Sequence, residues 1–129
     1  MNMKTNYKVL LVDDDKFLLD MYRKKFETQV AEVHLATGAE DALAKLHEGL
    51  KPDILILDII MPVMDGLELL AQIRKEKLVP DAAVIMLTNE SDKAKIEKAK
   101  ALGVKGYIVK ATSIPSEVVD EALKIAKIK

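Results

Sequence analysis

Four aspartates stand directly after two short apolar runs of the chain, and chemistry is most readily expected of them. Asp13, Asp14 and Asp15 follow the first apolar run, and Asp58 follows the third. Carboxylates gathered in one place repel one another unless a cation lies among them, and an all-oxygen cluster favours a hard cation. We therefore predict a Mg²⁺ site, with Mn²⁺ as the alternative metal. The competing role for the first three aspartates is to cap a helix, for which one of them suffices.

The third apolar run holds Asp58 on a rigid element beside the predicted cation. A carboxylate in that position can attack phosphorus and form an acyl phosphate, because Mg²⁺ offsets the repulsion between two anions. Thr88 and Lys110 follow the fourth and fifth runs. Their hydroxyl and ammonium groups suit the oxygens of a phosphoryl group. Taken alone, Thr88 fits a helix N-cap and Lys110 fits a solvated surface charge. The phosphoryl site is therefore indicated only by these residues and the aspartates at the strand ends taken together.

Five short apolar runs are expected to form the strands that position these side chains. Three of the runs are continuously apolar, which is typical of parallel strands covered on both faces. Five stretches with helical spacing of apolar residues lie between and after them. Such β–α units require right-handed crossovers, so we predict an α/β fold with helices on both faces of a parallel sheet. The predicted strands span residues 8–12, 32–36, 54–57, 83–87 and 105–109.

The last two helices have recognisable ends. The fourth is expected over residues 92–102, with Gly103 as its C-terminal cap. The fifth is expected to begin at Pro115, a residue favoured in the first turn. Its predicted buried residues are Val118, Val119, Ala122, Ile125 and Ala126.

The expected strand order is 2-1-3-4-5, the order of flavodoxin-like (βα)5 proteins, adopted by analogy with that doubly wound class. In open sheets of this kind the functional crevice lies at the carboxyl ends of the strands. The first and third strands are neighbours in this order. The carboxylates that follow them should therefore converge.

The composition is that of one globular domain, which we assign to residues 1–129 with a core at about 6–128. Half of the residues are apolar, the formal net charge is −1 and there is no cysteine. A near-neutral chain has no global attraction to nucleic acid or anionic lipid. No apolar run approaches the ~18 residues that span a bilayer, and no secretory signal is recognisable. We expect a cytoplasmic protein without membrane insertion or direct nucleic-acid binding.

Over about residues 6–128 the sequence resembles the response-regulator receiver family of two-component signalling. The segment 9–15 (VLLVDDD) is similar to the family's first strand and acidic pair. The segment 58–66 (DIIMPVMDG) is similar to its phosphoacceptor loop. Leu87, Thr88 and the segment 106–110 (GYIVK) are similar to its switch segments.

The resemblance implies a role for each matching residue of the metal and phosphoryl site. Asp58 would be the phosphoacceptor, and Asp14 a direct Mg²⁺ ligand. Asp13 would bind the metal mainly through water, and the backbone carbonyl of Ile60 would complete the protein ligands. Lys110 would be the phosphate partner.

The resemblance also implies a switch. Thr88 would be the switch hydroxyl, and Tyr107 the aromatic residue that changes rotamer, with a half-buried strand aromatic as its alternative reading. Asp15 has no catalytic counterpart, so we expect it to cap the first helix. Asp65 and Gly66 are expected to shape the loop and the next helix.

Two residues depart from the family pattern around the lysine and the threonine. The family usually has a proline in a cis peptide after its lysine, where this chain has Ala111. Because a cis bond to a non-proline residue is costly, the loop should be trans or strained. Asn89 stands where the family prefers a small residue. It is expected to narrow access to the phosphoryl group or to donate a hydrogen bond.

Two further residues, Ile60 and Glu90, are expected to flank the entry of attacking water. An apolar Ile60 cannot orient that water, so we predict slower self-hydrolysis of the acyl phosphate than with a polar residue. Together with Asn89 and Ala111, these are the residues expected to tune the rates.

The resemblance implies a His-to-Asp phosphorelay in which phosphorylation shifts residues 88–128. The chain would promote its own phosphorylation and also its own dephosphorylation, which would be slow. It would not be a turnover enzyme. The implied phosphodonor is a sensor histidine kinase or a phosphotransfer protein. A downstream protein, or a covalently attached effector domain, would be contacted through the face of residues 90–128. Both a monomer and a phosphorylation-dependent dimer fit, as do a stand-alone receiver and a domain of a longer protein.

Three other functions remain open from the sequence. A pseudo-receiver that binds proteins without phosphorylation is favoured by Asn89 and Ala111. A Mg²⁺-dependent aspartate phosphatase would carry an Asp-x-Asp nucleophile after the first strand and would leave Asp58 unexplained. A flavodoxin-like cofactor binder would carry a Ser/Thr/Gly-rich loop where this chain has three aspartates.

Overall fold

Apolar residues at the expected strand positions form a sheet, and the amphipathic stretches between them form helices. The structure is a computed structural model that describes residues 4–127. The strands are β1 (Thr5–Val12), β2 (Val30–Ala36), β3 (Ile54–Leu57), β4 (Ala83–Thr88) and β5 (Gly106–Val109). The helices are α1 (Lys16–Phe26), α2 (Ala39–His47), α3 (Gly66–Lys75), α4 (Lys93–Ala101) and α5 (Pro115–Lys127). A 3₁₀ turn, Lys110–Thr112, follows β5 directly.

The five strands are parallel and lie in the order β2-β1-β3-β4-β5, which confirms the expected fold class and order. Val12, the last residue of β1, pairs with Leu57, the last residue of β3. Leu57 pairs in turn with Met86, and Thr88 pairs with Val109 at the end of β5. The carboxyl ends of four strands therefore meet at one edge of the sheet.

Two apolar layers cover the two faces of the sheet, as the continuously apolar strands predict. On one face α1 and α5 contribute Phe26 and Val118, which share a cluster with Leu11 of β1. On the other face Ile73 of α3 shares a cluster with Leu10. Alternate residues of β1 thus face opposite layers, and the sheet is buried on both sides.

The helix ends follow local capping chemistry. Asp15 caps α1 by accepting from the N–H groups of Phe17 and Leu18, as expected for that residue. Asp92 caps α4, and Gly103 follows that helix with a left-handed φ of 84°, as expected. Ala99 is the one residue of α4 that is buried, so this helix is held by little apolar contact.

The structure differs from the sequence-based expectation mainly at element ends. β1 begins at Thr5 because Thr5 N–H donates to the Gln29 carbonyl (2.9 Å), although alternating polar residues hide this start in the sequence. In α5 Leu123 is buried, whereas Ile125 and Ala126 are only partly buried against the same cluster. The assigned domain also includes residues 1–3 and 128–129, which lie outside the described residues. No helix within residues 4–127 is long and apolar enough to cross a membrane.

Candidate functional site

The sheet brings Asp13 and Asp58 side by side, one residue beyond the paired ends of β1 and β3. Asp58 N–H donates to the Val12 carbonyl (3.0 Å), and Asp13 N–H donates to the Ala36 carbonyl (3.1 Å). The backbone ladder therefore continues past both strands and fixes both aspartates. Asp13 and Asp58 are only 4% and 5% exposed, so the two carboxylates have little contact with water.

Three carboxylates form a cluster with the geometry of a cation site. Oxygen atoms of Asp13, Asp14 and Asp58 all lie within 4.8 Å of one another, and of the three only Asp14 is exposed. Oxygen ligands at one solvent-accessible point suit Mg²⁺, which keeps several of its waters. Asp15 does not join the cluster, because its side chain caps α1. Its backbone N–H donates to Asp13 Oδ1 (2.9 Å) and helps to orient that carboxylate.

Lys110 crosses from the end of β5 to both buried carboxylates. Its Nζ donates to Asp13 Oδ2 at 2.5 Å and to Asp58 Oδ2 at 2.7 Å. Burial lowers the pKa of Lys110, but its hydrogen bonds to Asp13 and Asp58 outweigh burial, so this pKa is raised overall and the ammonium stays charged. Three ionised carboxylates and one ammonium leave two uncompensated negative charges, which matches a divalent cation.

The buried position of Asp13 shifts the pKa of its carboxyl group. Burial raises the pKa of Asp13, and the hydrogen bond from Lys110 only partly opposes that effect. The charge of Asp58 raises the same pKa further. A bound divalent cation would stabilise the ionised form of Asp13, so metal and protons compete at this carboxylate.

Thr88 lies at the end of β4, within the strand rather than after it, and is fully buried. Its Oγ1 accepts a hydrogen bond from the N–H of Glu90 (3.3 Å). The hydroxyl is thus bound to its own following segment. Because a hydroxyl can accept and donate at once, donation to a phosphoryl group on Asp58 would not by itself break this bond, but a shift of Thr88 toward that group would lengthen it.

Tyr107 is half-buried on β5, in register with Met86 of β4. Its hydroxyl donates to the Glu90 carbonyl at 2.6 Å. Burial raises the pKa of Tyr107, and the nearby Glu90 carboxylate raises it further. The ring therefore links β5 to the segment that follows Thr88.

The two departures from the family pattern contact each other. Ala111 N–H donates to Asn89 Oδ1 at 2.7 Å. We expected Asn89 to narrow access or to donate a hydrogen bond; the structure shows its carboxamide oxygen accepting one, and the effect on access stays a prediction. Residues 4–127 contain no cis peptide bond, so the chain passes from Lys110 to Ala111 in trans and enters the 3₁₀ turn. The sequence gives no indication of the contact between Asn89 and Ala111, because the two residues are 22 positions apart.

The remaining tuning residues lie at the rim of the site. Ile60 is 54% exposed, and its N–H donates to Asp58 Oδ1 (3.0 Å). Glu90 forms an ion pair with Lys95 Nζ (2.8 Å), and that hydrogen bond lowers the pKa of Glu90. The part of Ile60 in metal binding through its carbonyl stays a prediction.

Exposed apolar side chains occur on the segments at the same edge of the sheet as the carboxylate cluster. All the large hydrophobic residues that are exposed within residues 4–127 lie on segments at or just after the ends of β1, β3 and β5. These residues are Phe17, Ile60, Val63, Val109 and Ile114. Val63 also has a left-handed φ of 70°, which is strained for a β-branched residue and which the sequence does not reveal.

The family model of the response regulator receiver domain matches residues 9–122. The chain therefore belongs to the response regulator receiver domain family. Receiver domains accept a phosphoryl group in two-component signalling, and the acidic pocket of the family binds Mg²⁺. The cluster at Asp13, Asp14 and Asp58 has the donor set that such an ion requires.

Relatives and solved structures agree with this membership. The response regulator protein VraR of Staphylococcus aureus is 37% identical over 108 residues, which is 82% of this chain and 50% of that protein. The chain thus spans about half the length of the curated relatives it matches.

Two solved structures are similar over nearly the whole chain. Vibrio cholerae chemotaxis protein CheY4 has a TM-score of 0.82 and 29% identity, covering 95% of this chain and 99% of that chain. A CheY-like receiver domain protein from Methanospirillum hungatei has a TM-score of 0.84 and 28% identity, covering 95% and 94%. Neither these structures nor the family match favours the phosphatase or the cofactor-binding alternative.

Proposed function

We propose that Asp58 is the residue that accepts the phosphoryl group. Asp13, Asp14, Asp58 and the backbone carbonyl of Ile60 would hold Mg²⁺ beside it, or Mn²⁺ in its place. The observation that carries the proposal is the pair of hydrogen bonds from Lys110 Nζ to Asp13 and Asp58, inside a cluster of three carboxylates. A cation and an ammonium at the same carboxylate are what nucleophilic attack on a phosphate requires.

In the proposed reaction an Asp58 carboxylate oxygen bonds to phosphorus while the bond from phosphorus to the donor breaks. The donor group leaves with the electron pair of that bond. The Mg²⁺ that Asp13, Asp14 and Asp58 would hold would supply positive charge to offset the negative charge of the transferring oxygens. Lys110 exchanges its contacts with Asp13 and Asp58 for the new phosphoryl oxygens. Thr88 moves toward the same group and donates its O–H to it, which lengthens the hydrogen bond that its Oγ1 accepts from Glu90 N–H.

The proposed output begins with that movement of Thr88. Glu90 is bound both to Thr88 and to the Tyr107 hydroxyl, and its side chain pairs with Lys95 of α4. Moving Thr88 therefore disturbs Tyr107 and the start of α4 together. Since Ala99 alone is buried in α4, this helix is the one most easily displaced. The proposed output face is residues 90–128, of which residue 128 lies outside the described part.

The proposed phosphodonor is a sensor histidine kinase or a phosphotransfer protein. The exposed apolar residues on the segments at this edge of the sheet, including Phe17 and Ile114, support a protein donor, because a small donor needs no apolar docking surface. The proposed receiver acts on a downstream protein or an attached effector domain, as a monomer or as a phosphorylation-dependent dimer. It works in the cytoplasm as a stoichiometric switch rather than a turnover enzyme, without binding nucleic acid directly or entering a membrane.

Ile60 is proposed to slow hydrolysis of the acyl phosphate. Its apolar side chain is exposed at the rim of the site, where a polar side chain would orient the attacking water. We predict that Ile60→Asn speeds loss of phosphate about three- to tenfold, the worth of one hydrogen bond to the water. A time course of the phosphorylated protein after donor removal measures this. Ile60→Val keeps an apolar residue and should leave the rate near that of the parent, whereas equal decay in Ile60→Asn would contradict the proposal.

The test of the proposed function is addition of beryllofluoride and Mg²⁺, followed by amide NMR shifts. The wild type should show shifts at the carboxyl ends of β3, β4 and β5 and in α4. The Asp58→Asn variant should show none of the beryllofluoride-dependent shifts. An unresponsive wild type would favour the pseudo-receiver, and a full response in Asp58→Asn would mean that the acceptor is a different residue.

A further inference from the structure

The side chain of Asn89 holds the peptide unit that follows Lys110. Thr88 and Val109 are paired at the ends of β4 and β5, so the residues just beyond them lie close together. There Asn89 Oδ1 accepts from Ala111 N–H at 2.7 Å, a short distance for a bond between two exposed residues. A side chain of one loop thus binds the backbone of the other.

The turn after β5 has a donor that it cannot satisfy by itself. The first N–H groups of a helical turn find no acceptor within the turn. Inside Lys110–Thr112 the closing bond runs from Ser113 N–H to the Lys110 carbonyl (3.3 Å), whereas Ala111 N–H points outward to Asn89. Asn89 therefore does for this turn what an N-cap residue does for a helix, from another segment of the chain.

A second hydrogen bond joins the same two segments. The hydroxyl of Tyr107 donates to the carbonyl of Glu90 (2.6 Å). Residues 89 and 90 are thus tied to β5 and its following turn at two points. Thr88 and Lys110 lie on the tied segments, and a shift of one segment must be followed by the other.

We propose that Asn89 is a positioning residue for phosphoryl transfer, acting through the backbone of Ala111 to fix Lys110 opposite Asp58. This inference rests on the proposed function. The effect of Asn89 then comes from its carboxamide oxygen, which accepts the hydrogen bond. Ala111 is the partner and must keep the backbone N–H that donates it. The rival account is that the bulk of Asn89 narrows access to Asp58.

Two variants separate these accounts. Asn89→Leu keeps the size and removes the acceptor, and Asn89→Ala removes both. We expect each to lower beryllofluoride affinity and the rate of phosphorylation by acetyl phosphate about three- to tenfold, as loss of one hydrogen bond at a positioned group would. Both measurements are made at saturating Mg²⁺, because Lys110 also bonds Asp13 and Asp58 and its displacement would change Mg²⁺ affinity. Asn6→Leu, the same change at an exposed position of β1, is the matched control and should change none of these.

The outcomes are distinct for the two accounts. Normal beryllofluoride affinity and rate in Asn89→Leu, with faster phosphorylation in Asn89→Ala, would overturn the inference in favour of bulk. A wild type that binds no beryllofluoride would overturn the proposed function and this inference with it.

A direct measurement does not depend on how the variants fold. Amide hydrogen exchange in the wild type should show Ala111 N–H protected, and Asn89→Leu should expose it. Exchange of the wild-type Ala111 amide at the rate of an unstructured chain would overturn the inference.

Discussion

Asp13 keeps its carboxylate almost fully out of water, next to the charge of Asp58. Lys110 compensates one charge of this buried pair, and the exposed Asp14 adds another carboxylate to the cluster. Burial and the charge of Asp58 make the ionised form of Asp13 less stable in the folded protein than in the unfolded chain, so this charge opposes folding. At the scale of single residues, the charge of the metal site therefore lowers the free energy of unfolding when no metal is bound.

This cost predicts the effect of Asp13→Asn. Removing the buried charge should raise the free energy of unfolding by about 1 kcal/mol at neutral pH in the presence of a chelator. The same variant should lose most of its Mg²⁺ affinity. Urea unfolding with and without Mg²⁺ measures both effects, and a less stable Asp13→Asn protein in chelator would contradict the account.

The pH dependence of that gain has a definite sign. Burial raises the pKa of Asp13 in the folded protein, so its contribution to stability is present below the unfolded pKa of about 3.9 and lost as pH rises through the folded pKa. The advantage of Asp13→Asn should therefore appear above the folded pKa and vanish in acid. Asp15→Asn is the matched control, because asparagine caps α1 as well as aspartate does and the cluster keeps its charges.

Residue types at strand ends predict much of this site from the sequence. Asp13 and Asp58 each follow a continuously apolar run, whereas the run before Lys110 is mixed and its place beside them follows from the expected strand order. The bond between Asn89 and Ala111 could not be predicted, since it depends on the loop path beyond two strands and joins a side chain to a backbone group. The hydrogen bond that Thr88 Oγ1 accepts from Glu90 N–H could not be predicted either, because it depends on local geometry.

At the scale of elements, the connection from β3 to α3 determines how Asp58 is presented. Asp65 and Glu68 form a capping box that starts α3, and Gly66 N–H donates to the Ile59 carbonyl (2.9 Å). A Cβ on Gly66 would lie 2.1 Å from the Asp58 carbonyl oxygen. The helix start is therefore packed directly against the backbone of the proposed phosphoacceptor.

This packing predicts that Gly66→Ala damages both stability and the site. The added methyl group meets backbone atoms, which cannot turn away as a side chain can. We expect a loss of about 2 to 3 kcal/mol in unfolding free energy and slower phosphorylation. Gly38→Ala is the matched control, because a Cβ there has nothing within 4 Å and the backbone is extended. Equal behaviour of the two variants would contradict the close approach.

The elements themselves were largely predictable, and their ends less so. Continuous apolar runs are sufficient to place β3 and most of β4, because both faces of these strands are buried. The start of β1 alternates polar and apolar residues, and only its pairing with Val30 makes it a strand. In α5 the helical period allows Leu123 or Ile125 to face the core, and packing against the sheet decides for Leu123.

At the scale of the whole molecule, the protein combines a rigid sheet edge, which carries the carboxylate cluster, with a weakly held helix, α4. Backbone hydrogen bonds to Ala36 of β2 and Val12 of β1 fix Asp13 and Asp58, whereas α4 buries Ala99 alone. Between them stand Thr88, Glu90 and Tyr107, joined by hydrogen bonds. We therefore propose that charge added at Asp58 changes contacts at α4 without moving the sheet, as charge-adding modifications do when they bias a movable element.

The central claim is that Asp58 itself becomes an acyl phosphate in the presence of Mg²⁺. Borohydride reduction of the protein after incubation with acetyl phosphate converts an aspartyl phosphate to homoserine, and mass spectrometry of peptides locates it. The account predicts homoserine at position 58 alone, formed with Mg²⁺ and absent with a chelator. Homoserine at position 13 or 14, or none at any position while the protein is folded and binds Mg²⁺, would contradict it.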